Sequence, residues 1–142
     1  MDGKIKLISL IPIITQDKPG ALAEINIKNI CKEYNIEFNT DKCFYVNELN
    51  SPLSRGNHSN RNVSEILVCL QGSFEIKLHD GINETTFEIT QNNAIYIDKN
   101  VWINYYNFKN CVILVFVNHY HDNKISCYNF DDFLKDQNIH NK

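Results

Sequence analysis

The chain's two arginines, Arg55 and Arg61, stand on either side of His58 in one polar stretch. A guanidinium is a planar fork that matches phosphate and carboxylate oxygens. Two of them around a histidine point to an anionic ligand. The plainer account is a pair of solvated surface charges. An imidazole ordinarily exchanges its proton near neutral pH, which suits His58 to a general base. The other histidines are weaker candidates. His79 precedes the Asp80-Gly81 turn, and His140 lies close to the last residue. His119 and His121 alternate after an apolar run, facing either a pocket or solvent.

Metal chemistry would need a fuller set of ligands. The frame His58-Ser59-Asn60 followed by Glu65 has the spacing of a His-x-His…Glu centre, but an amide stands at the second position. Ile103 follows Trp102 where a later histidine would be needed. His58 and Glu65 alone are too few for a tight divalent site, so no metal is expected. Aromatic side chains gather at Trp102, Tyr105, Tyr106 and Phe108, with Tyr45 upstream. Such groups can stack on bases or sugar rings, and a tyrosine beside a histidine base can serve as an acid. Ordinary packing is the commoner use of aromatics.

These side chains need a scaffold, and the pattern around them is that of strands. Lys4–Ile14 and Ala21–Ile25 read as strands separated by the Asp17-Lys18-Pro19-Gly20 turn. Asn26–Phe38 fits a helical turn or two, and Lys42–Glu48 returns to alternation. Asn50–Asn62 is polar and irregular. Ile66-Leu67-Val68-Cys69-Leu70 is a continuous apolar run, as in a buried strand, and Gln71-Gly72-Ser73 reads as a tight turn. Phe74–His79 and Thr85–Thr90 alternate across a hairpin at Asp80-Gly81. Ala94–Ile97 and Cys111–Asn118 are further strands. Asn129–Gln137 places Phe130, Phe133 and Leu134 at helical spacing. Short strands with turn signals about every ten residues predict an all-β sandwich or barrel ending in a short helix.

Composition narrows the classes. A length of 142 residues predicts a single domain, 1–142, able to bury a core. A net charge of −3 carries no basic field, so no nucleic-acid surface is expected. The apolar stretch Leu7–Ile14 is broken by Pro12 and too short to span a membrane. Cys31, Cys43, Cys69, Cys111 and Cys127 form no CxxC pair and are odd in number. They read as reduced thiols of a cytoplasmic protein.

Several segments together resemble the dTDP-4-keto-6-deoxyglucose 3,4-ketoisomerases, a family of small cupins. Arg55-Gly56-Asn57-His58 followed by Ile66–Ser73 carries the strongest similarity. Asp17–Leu22, Phe44-Tyr45-Val46, Val101-Trp102, His119–Asp122 and Phe130–Phe133 extend it over nearly the whole chain. The resemblance implies a jelly-roll barrel (a double-stranded β-helix) and a homodimer, often with exchanged N-terminal strands. It implies deoxyamino-sugar biosynthesis, as for O-antigen, lipopolysaccharide or capsule. The reaction shifts a ketone from C4 to C3 of a dTDP-linked 4-keto-6-deoxyhexose through an enediol(ate), without cofactor or metal.

The family typically has Arg-Gly-x-His-x-His, with the second histidine as base. Asn60 stands at that position here, and Ile103 replaces the histidine after the tryptophan. An amide cannot shuttle a proton but can hydrogen-bond a sugar oxygen. The expectation is therefore His58 as base and Tyr45, or a neighbouring tyrosine, as acid, with Arg55, Asn60, Arg61, Glu65, Trp102 and Tyr106 binding substrate. Two alternatives stand beside it. One is an epimerase resembling the 3,5-epimerases, similar cupins with one histidine and a tyrosine acid. The other is a nucleotide-sugar-binding cupin without activity.

Overall fold

A computed structural model describes residues 3–118 and 124–140 of the chain. The candidates His119 and His121 lie outside the described residues. Eight strands and two helices follow in order: β1 (Ile5–Ser9), α1 (Ile27–Tyr34), β2 (Thr40–Leu49), β3 (Arg55–Asn60), β4 (Glu65–His79), β5 (Glu84–Thr90), β6 (Asn93–Ile97), β7 (Trp102–Asn118), β8 (Ser126–Cys127) and α2 (Phe130–His140).

All strand pairs are antiparallel. The sheet runs β1-β6-β4-β7-β3-β8, with β2 also on β7 and β5 also on β4. β4 and β7 are long, bent and paired along most of their length, so each serves two parts of the wall. This is the expected jelly-roll barrel.

The apolar run in β4 is continuous because that strand is covered on both faces. Leu67 and Cys69 point into the barrel core with Phe74, Ile76, Ile95, Ile103, Ile113 and Val115. Ile66 and Val68 point outward into a second cluster with Ile8, Ala94, Tyr96 and Ile30. The cover is α1. Asn26 caps it by accepting from the Asn29 amide at 3.0 Å, and Asn35 closes it in a left-handed conformation. The Tyr34 hydroxyl then accepts from the Ser9 amide at 3.1 Å, tying the helix to β1.

Three expected elements differ. Gln71-Gly72-Ser73 is not a chain reversal, because β4 continues through it with shifts of register against β7. Gly72 sits there at φ +71, and a Cβ would lie 2.1 Å from the Lys109 carbonyl, so only glycine allows the two bent strands to cross. Ala21–Ile25 forms no strand; one bridge, Ile13 to Leu22, is all that pairs there. Within the polar Asn50–Asn62 stretch, β3 is a true strand. The five cysteines are free thiols. No helix among the described residues is long and apolar enough to cross a membrane.

Candidate functional site

Residues on one face of a regular strand are two apart, so Arg55 and His58 should point to opposite sides. They do not. β3 pairs Arg55 with Tyr105 and His58 with Ile103, and the register shifts between Gly56 and His58. Two residues on β7 therefore face three on β3, which is a β-bulge. Gly56 at φ +88 and Asn57 at φ +56 make it. Asparagine is among the few side chains that tolerate this region. A Cβ on Gly56 would lie 2.7 Å from the Ile103 carbonyl and 3.1 Å from the Tyr105 ring, so the glycine also permits close packing.

The bulge aims both polar groups into one cavity of about 140 Å³. That space holds several waters, so a small organic ring can enter. Its polar wall is Arg55 and His58 from β3, Glu65 from β4 and Tyr105 from β7, with Lys124 beside them. Phe44 and Val46 of β2, Leu67 of β4 and Ile113 and Val115 of β7 form the apolar wall.

Glu65 is only 3% exposed. Its Oε1 accepts from Asn60 Nδ2 at 2.6 Å. The Asn60 backbone is itself held, its main-chain carbonyl accepting from the Asn100 backbone amide at 2.7 Å. Tyr105 packs edge-on against Phe74, with ring centres 6.2 Å apart. Burial pushes the Tyr105 hydroxyl well above the usual phenol range, and the Glu65 carboxylate raises it further, against the opposing Arg55 guanidinium. The cavity therefore combines an imidazole, a carboxylate, a cation and a firmly protonated phenol. The His58 ring also lies 5.9 Å from that of Tyr128.

Of the eight residues picked from sequence, Arg55, His58 and Glu65 meet at the cavity. Tyr45 does not. Phe44 and Val46 line the cavity, so the residue between them points outward, 67% exposed. Asn60 is buried behind the wall as the partner of Glu65 and is not among the lining residues. Arg61 turns away and donates from Nε to Asp136 Oδ2 at 2.8 Å, an ion pair to α2. Trp102 packs under α2, its ring 5.3 Å from Phe130 and 5.7 Å from Phe133. Tyr106 pairs with Glu75, away from the lining. Tyr105 and Lys124 are lining residues that the sequence reading did not select. Alternation from Ile103, a buried residue, was the available signal for Tyr105. Nothing near Lys124 in the sequence marked it.

A family model, FdtA: WxcM-like, C-terminal, matches residues 3–138. The chain belongs to this family. A relative from Aneurinibacillus thermoaerophilus, TDP-4-oxo-6-deoxy-alpha-D-glucose-3,4-oxoisomerase, is 29% identical over 133 residues, spanning 92% of this chain and 90% of its own length.

The 3,4-ketoisomerase QdtA from Thermoanaerobacterium thermosaccharolyticum, solved with TDP, superposes with a TM-score of 0.82. Its identity is 26%, with 99% of this chain and 98% of that one covered. A His-to-Asn variant of QdtA, solved with TDP-4-keto-6-deoxyglucose, gives 0.81 at 26% identity, covering 98% and 97%. WlaRA, a TDP-fucose-3,4-ketoisomerase from Campylobacter jejuni, gives 0.75 at 28% identity, covering 95% of each chain. The cupin fold of the FdtA family also extends to a sugar epimerase, NovW from Streptomyces spheroides. At 8% identity and a TM-score of 0.69, NovW shares the fold alone.

Proposed function

We propose that this protein is a 3,4-ketoisomerase acting on a TDP-linked 4-keto-6-deoxyhexose. The observation that carries the reading is the convergence of Arg55, His58 and Glu65 on one cavity within an FdtA-family barrel. The QdtA structures were solved with TDP and with the 4-keto sugar, which supports the ligand class.

The chemistry moves protons only. His58 removes the C3 proton, acidified by the neighbouring ketone, and later returns it at C4. The negative charge that builds on the sugar oxygens lies near Arg55, in a cavity whose other wall is apolar. Lys124 supplies a second cation for the diphosphate. The relatives carry the same reaction type in their names. The reading places this chain in deoxysugar synthesis of the lipopolysaccharide or O-antigen kind.

Free thiols fit a reducing cytoplasm. A second copy of the chain would cover the exposed apolar N-terminal segment, where Ile11 is 86% exposed and Ile14 74%. The functional unit is thus read as a homodimer.

The test is incubation with TDP-4-keto-6-deoxyglucose in D₂O, followed by NMR. A 3-keto product is expected, with deuterium at C4 to the extent that the proton held on His58 exchanges with solvent before it is returned. Deuterium at C3 or C5 with inversion would make the protein an epimerase. TDP binding without exchange would make it a non-catalytic binding protein. His58→Ala should abolish exchange.

A further inference from the structure

Ketone transfer from C4 to C3 moves two kinds of proton. One leaves carbon C3 and arrives at C4. The other must reach the C4 oxygen and leave the C3 hydroxyl. His58 accounts for the first, and the second needs a weak acid on the same cavity. Resting on the ketoisomerase reading, we infer that Tyr105 is that acid and that Glu65, fixed by Asn60, is its positioning residue.

Geometry selects Tyr105. Among the described residues it is the only tyrosine that lines the cavity. Tyr45 is on the outer side of β2, and Tyr106 is opposite Glu75. Tyr105 lies two residues along β7 from Ile103, the residue paired with His58. Such diagonal neighbours stand about 7–8 Å apart on one sheet face. A sugar carbon and its oxygen fit between an imidazole and a phenol at that separation. The Phe74 ring, 6.2 Å away, and the missing side chain at Gly56 fix the plane of the phenol.

The charges around the phenol suit a proton that must pass both ways. An enediol oxygen is itself a weak acid. A phenol held in its neutral form by burial and by the Glu65 carboxylate has a comparable hold on its proton. Asn60 Nδ2 donates to Glu65 Oε1, which keeps that carboxylate turned and hydrogen-bonded in a buried place.

The steps balance. His58 takes the proton from C3, and the C–H electron pair becomes the C3–C4 double bond. The C4 carbonyl π pair takes the Tyr105 hydroxyl proton, leaving a tyrosinate and a neutral enediol. The tyrosinate then removes the proton of the C3 hydroxyl. The C3 carbonyl forms, and the double-bond pair takes the proton back from His58 at C4. Both side chains end as they began.

The experiment compares wild type, Tyr105→Phe and Glu65→Gln on TDP-4-keto-6-deoxyglucose, with calorimetry of TDP binding and thermal melts alongside. For Tyr105→Phe, kcat should fall at least about 100-fold, the span general acids supply. KM, TDP affinity and the melting point should stay within threefold and a few degrees. Glu65→Gln should cut kcat about tenfold and draw the alkaline limb of the kcat profile to lower pH, because the charge that raises Tyr105 is gone. A Tyr105→Phe enzyme within fivefold of wild-type kcat overturns the assignment. So does a loss carried by KM or by unfolding. Wild type that leaves the sugar unchanged overturns the ketoisomerase reading and this one together. Wild-type turnover that survives Tyr105→Phe overturns only the acid.

Discussion

Asn60 Nδ2 donates to Glu65 Oε1 at 2.6 Å, in a place where both side chains are almost wholly withdrawn from solvent. A carboxylate so buried needs its donor. Removing one partner of a buried polar pair leaves the full desolvation penalty on the other. Asn60→Ala should therefore cost about 2–3 kcal/mol of stability. Urea unfolding should register this as a lower midpoint with an unchanged slope.

Arg55 and Arg61 should separate cleanly. Arg55 lines the cavity, whereas Arg61 is bound to Asp136 on α2. Arg55→Ala should weaken TDP-sugar binding at least about tenfold, as for a lost charged hydrogen bond. Arg61→Ala should leave TDP affinity within twofold. Its stability loss should be at most about 1 kcal/mol, because exposed ion pairs contribute little. Isothermal calorimetry on both variants is the measurement.

The bulge makes a sharp demand at position 56. Gly56→Ala would need a left-handed backbone and would press its Cβ on the Ile103 carbonyl and the Tyr105 ring. Backbone strain of this kind costs on the order of 1–3 kcal/mol. Activity should fall further than stability, since Arg55, His58 and Tyr105 all hinge on this point. Melting curves set beside kcat test the ratio.

Alkaline pH should weaken the fold. Burial first, then the nearby Asp98 charge, pushes the Tyr96 hydroxyl up to about 12 from its usual value of 10.0, against a hydrogen bond with Ser64. The unfolded chain releases this proton near pH 10 while the folded chain keeps it. Stability from Tyr96 is thus complete below pH 10 and is lost as pH rises toward 12. Two units correspond to at most about 3 kcal/mol. Tyr96→Phe should flatten part of this decline in denaturant midpoints measured across that range.

Much of this was legible in the sequence. Alternation in Phe74–His79 and the apolar run before it fixed the strand character of β4, and Arg55-Gly56-Asn57-His58 marked the cavity. The failures share a cause. Residue type singles out Tyr45, Trp102 and Tyr106, but position on a strand decides which side of the wall a ring occupies. Arg61 is three residues from His58 and just past the end of β3, so it has the opposite parity, and Asp136 of α2 claims its charge. An amide at Asn60 could serve a sugar, but its partner is a buried carboxylate five residues on. A bulge leaves no periodic trace in sequence, and pairing between β3 and β7 is visible only once the chain has folded.

The extra residue in β3 sets the phase of the strand on one side of it independently of the other. His58 and Asn60 belong to one phase, and Arg55 belongs to the opposite one. The cavity is thus assembled by an odd count rather than by any one side chain. Deleting Asn57 would restore regular alternation with Arg55 two residues from His58, so both side chains would still face the cavity. Regular pairing of the full-length segment would instead turn Arg55 outward, so the anion-binding corner depends on Asn57 staying out of the ladder.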